Sequence, residues 1–183
     1  MTNIRLDAAT EPRVGEELPL EKLNDYLHAA IPGFGNIMQV SQFGGGYSNL
    51  TYLLQTTDHA YVLRRPPFGA KDIKKGHDMA REYHILSTLS QAGYTKVPQT
   101  ILCCEDESIL GCPFYLMEKV EGVILRGKMG HKLAIPAEQM RQLSYSLIDA
   151  LVELHQIDIV ETGLIQIGKP EGYIQRQIGR AHV

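Results

Sequence analysis

The stretch Phe43-Gly44-Gly45-Gly46-Tyr47-Ser48-Asn49-Leu50-Thr51-Tyr52 puts three consecutive glycines between two segments whose apolar and polar residues alternate as in β-strands. A glycine run that opens a helix is typical of dinucleotide-binding oxidoreductases, but here the strand-like pattern continues to Gln55. We therefore expect a β-hairpin with a glycine-rich tip. Glycine tolerates positive φ and has no Cβ, so the backbone N–H groups of such a tip can come close to the phosphate oxygens of a ligand.

The composition is that of a globular protein with room for a sizeable core. The chain has 183 residues, 44% of them hydrophobic, and a formal net charge of −3. This balance argues against general nucleic-acid binding, which needs a concentrated excess of Lys and Arg. The local cluster of lysines from Lys71 to Lys75 is interpreted as the solvated face of a loop. No stretch approaches the roughly 18 to 20 apolar residues of a membrane span, and the acidic N-terminus does not resemble a signal peptide, so we expect a cytoplasmic protein that does not contact membranes.

The cysteines do not form a metal motif. Cys103, Cys104 and Cys112 lack the paired spacing of a zinc site, and the first two are neighbours that would point to opposite sides of a strand. We expect reduced thiols and no metal site.

The pattern of the chain predicts an α+β domain followed by the start of a helical one. Residues 1–15 are predicted to be a mobile arm, because they have few large apolar side chains. Residues 16–118 form the main domain, residues 119–135 are interpreted as a hinge and linker, and residues 136–177 begin a second, helical unit. The predicted elements are a helix from Pro19, strands at Ile37–Phe43, Leu50–Thr56 and His59–Arg65, a helix at Asp78–Gln91, a hairpin of Val97–Cys104 and Ile109–Glu118, and a helix from Pro136 to about His155 with a long apolar stripe.

Glu82 falls within the apolar stripe of the second predicted helix, between Met79 and Leu86. It should be partly buried and should need a cation. The alternative is a carboxylate at the edge of the stripe that reaches water. Asp78, just before this helix, is predicted to be its N-cap.

Five motifs together carry a family resemblance. They are Phe43-Gly44-Gly45-Gly46-Tyr47-Ser48-Asn49, Tyr61-Val62-Leu63-Arg64-Arg65-Pro66-Pro67, Arg81-Glu82-Tyr83, Tyr115-Leu116-Met117-Glu118-Lys119-Val120-Glu121-Gly122 and Gly168-Lys169-Pro170-Glu171-Gly172-Tyr173. With the order of elements, they resemble the kinase-like phosphotransferases: aminoglycoside phosphotransferases, choline kinases and the related domains fused ahead of acyl-CoA dehydrogenases. The resemblance covers roughly residues 37 to 177. It implies a protein-kinase-like N-terminal lobe, with a five-stranded antiparallel sheet and a helix, then a hinge and the first helix of an incomplete C-terminal lobe.

The resemblance also implies a nucleotide site. Gly44, Gly45 and Gly46 would cover the phosphates of ATP, and Ser48 and Asn49 would supply backbone N–H donors. At the hinge, the carbonyl of Glu118 and the N–H of Val120 would meet the adenine edge, beside Met117.

A cation on the third strand would contact the α and β phosphates and be held by Glu82. The family usually has lysine there, whereas this chain offers Arg64 and Arg65, which point to opposite faces. Alignment favours Arg64. Its guanidinium is larger than an ammonium and changes the geometry, which counts against efficient use of ATP. The alternative is an arginine pair at the edge of the sheet with no ligand role.

The catalytic loop of the family is absent from this sequence. Relatives carry His-Gly-Asp, a later Asn and a further Asp after the hinge, and these act on the acceptor hydroxyl and bind Mg²⁺. The only similar string, Gly76-His77-Asp78, precedes the hinge. Residues 178–183 back-translate to ATCGGAAGAGCACACGTC, which is similar to a sequencing-library adapter, so we interpret them as an artefact and expect the natural reading frame to leave this sequence at about Gln177.

We therefore expect an inactive fragment, with no catalytic residues of its own, of an ATP-dependent phosphotransferase that moves the γ-phosphate to a small-molecule hydroxyl. Mg²⁺ is expected only in the intact parent. The alternative is a non-catalytic nucleotide-binding or scaffold module, which Arg64 and the missing loop favour. The phosphoryl acceptor is not predicted.

Overall fold

A five-stranded antiparallel sheet forms the centre of the protein. The computed structural model describes residues 8–44, 48–69, 77–125, 134–168 and 171–180. The strands are β1 (Ile37–Gln42), β2 (Leu50–Thr56), β3 (Ala60–Arg65), β4 (Thr100–Cys104) and β5 (Phe114–Glu118). Their order in the sheet is β1-β2-β3-β5-β4, and each neighbouring pair is antiparallel. The predicted sheet is confirmed.

The described part of the structure contains the three predicted helices close to their predicted bounds, together with two shorter helices that were not predicted. They are α1 (Leu20–Ala30), α2 (Met79–Gln91), α3 (Glu107–Leu110), α4 (Ala137–His155) and α5 (Tyr173–Arg180), with a 3₁₀ helix at Leu164–Ile167. Asp78 caps α2 as predicted, since its carboxylate accepts from the backbone N–H of Arg81 at 2.9 Å. Gly93, at φ 86°, follows the end of α2. Among the described residues, no helix combines the length and apolar character needed to cross a membrane.

The two faces of the sheet differ in chemistry. On the first face, α1 packs over a core in which Leu23 and Leu27 are fully buried, and the ring of Tyr26 meets Phe114 edge to face at 5.9 Å between centroids. The pairing of Val62 with Met117 and of Arg64 with Tyr115 puts these four side chains on the second face, because side chains alternate along a strand. α2 contacts β4 and β5 on that second face. A cluster of polar side chains can therefore form there.

The second predicted hairpin differs from the structure at the start of both strands, and β4 begins at Thr100 rather than at the predicted Val97. The segment predicted to start a strand at Ile109 instead forms α3, so β5 begins only at Phe114. Asp106 caps this short helix by accepting from the N–H of Ser108 at 2.8 Å, and Gly111 ends it with φ 74°. The local capping residues thus override the apolar strand pattern.

Residues 8–15 differ from the predicted mobile arm. The backbone of Thr10 pairs with Gln42 through hydrogen bonds of 2.9 and 2.7 Å, and the N–H of Arg13 donates to the Gln42 side chain at 2.9 Å. These bonds hold the segment against the outer edge of β1. The sequence did not anticipate the pairing because the segment lacks the apolar alternation of a strand.

Helix α4 has no buried residue. The phenol of Tyr94 donates to the backbone carbonyl of Ala150 at 3.2 Å, and Lys96 forms an ion pair with Glu153. These contacts join α4 to the loop that follows α2. The apolar stripe predicted for α4 remains largely exposed, with Leu147 63% and Leu143 46% accessible, and the neighbouring Ile148 is 56% accessible.

Candidate functional site

An ion pair between β3 and α2 lies at the centre of the polar second face. The Nε atom of Arg64 is 3.3 Å from Oε2 of Glu82, and the two side chains are 31% and 32% exposed. The pair forms because Arg64 points to the face that α2 covers and Glu82 lies in the first turn of that helix. Glu82 thus has the cation that its partial burial predicted.

Two further side chains donate to Glu82. The amide nitrogen Nδ2 of Asn49 is 2.7 Å from Oε1, and the phenol of Tyr115 is 3.2 Å from Oε2. Burial is the main reason that the pKa of Tyr115 is raised, and the nearby Glu82 carboxylate acts in the same direction while Arg64 opposes it. The phenol therefore stays protonated and serves as a donor at neutral pH. Both oxygens of Glu82 are occupied.

Arg65 points the other way, as the alternation predicted. It is only 3% exposed, its guanidinium carbon lies 3.9 Å from the centre of the Phe68 ring, and its Nε donates to the carbonyl of Pro66 at 3.3 Å. The structure therefore brings Arg64, and not Arg65, to Glu82.

The glycine hairpin leads into this cluster. β1 and β2 pair up to Gln42 and Tyr52, and the N–H of Phe43 then donates to the carbonyl of Thr51 at 2.9 Å. Gly44 has open space where a Cβ would be, and Ser48 is exposed. Gly45 and Gly46 lie outside the described residues.

Asn49 has a contact that the sequence did not reveal. It was expected to offer its backbone N–H to phosphate, but its side chain is buried and bound to Glu82. His77, interpreted from the sequence as part of a loop, is 2.7 Å through Nδ1 from Oδ1 of Asn49. These contacts join residues that are far apart in the chain, so no periodic pattern signals them.

A cavity of about 460 Å³ lies beside the predicted hinge. That volume is in the range of small-molecule sites. Within it, Val62 and Met117 come from the second face of the sheet, and Glu118 and Val120 come from the segment that leaves β5. The lining residues are Val62, Thr95, Lys96, Val97, Pro98, Met117, Glu118 and Val120.

Glu118 has a structural role at this cavity. Its carboxylate accepts from the N–H of Gln99 at 3.0 Å, and its own N–H donates to the carbonyl of Gln99 at 2.9 Å. Val120 is 64% exposed. The wall of the cavity at Glu118 is therefore held in place by two hydrogen bonds to the backbone of Gln99, just before β4.

Comparison with known proteins identifies the fold. Residues 39–183 match the phosphotransferase enzyme family. The chain belongs to this family. The resemblance inferred from the glycine, hinge and Arg81-Glu82-Tyr83 motifs is confirmed.

Relatives of this phosphotransferase domain include large proteins. Acyl-CoA dehydrogenase family member 11 of Gallus gallus is 38% identical over 160 residues, and that of Rattus norvegicus is 37% identical over 163 residues. These matches cover 85% and 87% of this chain. The chain spans about 20% of the length of each of these relatives.

Solved phosphotransferase structures share the fold. A Ralstonia eutropha protein provisionally named an aminoglycoside phosphotransferase is 33% identical, with a TM-score of 0.68 over 90% of this chain and 46% of its own. An APH(2″) enzyme in complex with GDP and kanamycin is 25% identical, with a TM-score of 0.59 over 85% of this chain and 48% of its own. The kinase-like fold predicted from the sequence is confirmed.

No metal site accompanies this domain in the described residues. Nowhere in ranges 8–44, 48–69, 77–125, 134–168 and 171–180 do three or more His, Cys, Asp or Glu side chains gather in a way that could hold a metal ion.

Proposed function

We propose that this chain binds ATP and is the nucleotide-binding part of a phosphotransferase that moves the γ-phosphate to a small-molecule hydroxyl. The observation that carries the proposal is the Arg64–Glu82 pair, which lies on the same sheet face as the cavity beside Met117. A cation oriented by a carboxylate is suited to bind phosphate, and the cavity on the same sheet face offers room for the base.

The base of the nucleotide would occupy the cavity. Val62, Met117 and Pro98 offer apolar surface for a purine ring. The backbone carbonyl of Glu118 and the N–H of Val120 would pair with its edge, and the exposure of Val120 leaves that segment open to a ligand. Purine binding through backbone groups does not depend on the side chains of the hinge.

The phosphates would meet Arg64. Val62 and Arg64 are two residues apart on one face of β3, a rise of about 7 Å, so a nucleotide whose base contacts Val62 has its phosphates near Arg64. Nε is the guanidinium atom that lies 3.3 Å from Oε2 of Glu82, and the Nη groups would donate to phosphate oxygens. A lysine would present the same contacts from a single nitrogen, whereas the guanidinium spreads them over a planar fork.

The glycine hairpin would close over the same phosphates. Gly44, Gly45 and Gly46 have no Cβ to keep the backbone away from a ligand, and Ser48 and Asn49 would add further backbone N–H donors. We propose that Mg²⁺ would arrive with the nucleotide, and that its ligands, the catalytic groups and the acceptor site belong to other residues of the intact parent.

A cytoplasmic location is part of the proposal. Cys103, Cys104 and Cys112 are all free thiols, which fits a reducing compartment.

Calorimetric titration of the chain with a non-hydrolysable ATP analogue tests the proposal. We expect weak binding that depends little on Mg²⁺ in the wild type, and at least tenfold weaker binding in Arg64→Ala because charge-assisted contacts to phosphate are lost. Arg64→Lys should recover only part of the loss. Arg141→Ala, which removes an exposed arginine from α4, is the matched control and should bind as the wild type does. Absence of binding, or equal affinity in Arg64→Ala and Arg141→Ala, would refute the proposed site.

A non-catalytic nucleotide-binding module is the second candidate, and the specific observation that favours it is arginine at position 64. The full-length parent separates the two. Transfer of phosphate to any hydroxyl acceptor that is lost in Arg64→Ala supports the kinase, whereas ATP binding by a parent that lacks an intact catalytic loop supports the module.

A further inference from the structure

A chain of side chains connects the loop before α2 to the base of the glycine hairpin. His77 contacts Asn49 at 2.7 Å, Asn49 contacts Glu82 at 2.7 Å, and Glu82 contacts Arg64 and Tyr115 at 3.3 and 3.2 Å. Nucleotide binding as proposed above uses Arg64 and Glu82 but assigns no task to the side chains of Asn49 and His77.

From this geometry we propose that Asn49 and His77 are positioning residues. His77 orients the amide of Asn49, Asn49 orients the carboxylate of Glu82, and together they fix the second leg of the glycine hairpin against α2. The effect on nucleotide binding rests on the proposed function, whereas the network itself does not.

The donors and acceptors fit together in only one way. A carboxylate paired with Arg64 can only accept, so the amide nitrogen of Asn49 must face Glu82. The amide oxygen of Asn49 then faces His77, and an oxygen that accepts needs a proton on Nδ1. The network therefore selects the Nδ1–H form of His77, whereas an imidazole free in water prefers the proton on Nε2.

Burial makes the arrangement selective. Asn49 is 4% exposed, so water cannot readily replace either of its partners. A reversed amide would place two oxygens 2.7 Å apart at Glu82 and would leave buried groups without partners.

The consequence concerns the hairpin. At the end of its first strand, the backbone N–H of Phe43 donates to the carbonyl of Thr51. Before its second strand, the side chain of Asn49 donates to Glu82. Asn49 therefore connects the base of the hairpin to Glu82 and, through Glu82, to Arg64.

The protonation of His77 in the 183-residue chain is the direct test. Long-range ¹H–¹⁵N NMR above the titration range of the ring should show the proton on Nδ1 in His77, and on Nε2 in the exposed His84, which is the internal reference. In Asn49→Ala, His77 should change to the Nε2–H form. A wild-type His77 with its proton on Nε2 overturns the proposal.

A pair of His77 variants keeps the test decisive if Asn49→Ala does not fold. The amide nitrogen of His77→Asn can take the place of Nδ1–H, whereas His77→Ala has no donor. We expect His77→Ala to weaken binding of the ATP analogue about tenfold, and His77→Asn to restore most of it. Equal losses in both variants overturn the positioning role. If the wild type binds no nucleotide but His77 keeps its proton on Nδ1, the proposed function fails and the network stands.

Discussion

Glu82→Gln should destabilise the protein by about 2 kcal/mol, through two separate losses. The substitution keeps the shape of the side chain but removes its charge. The Coulomb attraction across 3.3 Å is about 5 kcal/mol at an effective dielectric constant of about 20. Because both side chains are about one third exposed, solvent reduces this to about 1 kcal/mol.

The second loss comes from hydrogen bonding. Glutamine has one carbonyl oxygen where glutamate has two. That oxygen can accept from Asn49, or it can accept from Arg64 and Tyr115, but it cannot serve both sets of donors. The donor left without an acceptor costs about another 1 kcal/mol. For a chain of this size, a total of about 2 kcal/mol corresponds to a fall in Tm of about 4 to 8 °C.

Urea unfolding followed by circular dichroism measures the effect, since the chain has no tryptophan to report by fluorescence. The midpoint should fall while the slope m stays unchanged. Glu138→Gln is the matched control, because it removes the same charge from a pair with Arg141 in which both side chains are more than 60% exposed. It should cost less than about 0.5 kcal/mol. A loss in Glu82→Gln no larger than in this control would refute the reasoning.

Three further predictions follow from other parts of the fold. Burial raises the pKa of Tyr52 to about 12, so folding favours the neutral phenol. The contribution of this phenol to stability should be complete below about pH 10 and should be lost as the pH rises towards 12. The urea midpoint of the wild type should therefore fall over this range, and Tyr52→Phe should make the fall smaller. Gly93→Ala should cost about 1 kcal/mol in the same assay, because φ is 86° although the space for a Cβ is open; an unchanged midpoint would contradict this. Leu147→Lys combined with Ile148→Lys should raise the monomer fraction in sedimentation, and no change would mean that the exposed stripe of α4 does not drive association.

The sequence predicts the sheet because its evidence is periodic. Alternation in β2 and β3, the helical stripe of α2 and the Asp78 cap are local patterns, and the structure has these elements within one residue or so of their predicted bounds. The pairing of Arg64 with Glu82 was also predictable, since a carboxylate within an apolar stripe needs a cation. These inferences required only spacing and charge.

The rest of the candidate site was not predictable in this way. The contact between Asn49 and Glu82 joins positions 33 residues apart, and that between His77 and Asn49 joins positions 28 apart. A hydrogen bond between single side chains leaves no repeat in the sequence. α3 was missed because a single aspartate cap and Gly111 outweighed an apolar run that suits a strand equally well.

The attachment of Thr10 to Gln42 has a practical consequence for any shortened version of the protein. β1 is an outer strand, and a bare outer strand offers a row of unsatisfied amide and carbonyl groups on which a foreign strand can assemble. The segment around residues 10–13 occupies part of that row. A deletion that starts the chain at Glu16 would uncover it, and would be expected to give a less soluble product even though the cavity and its polar cluster are untouched.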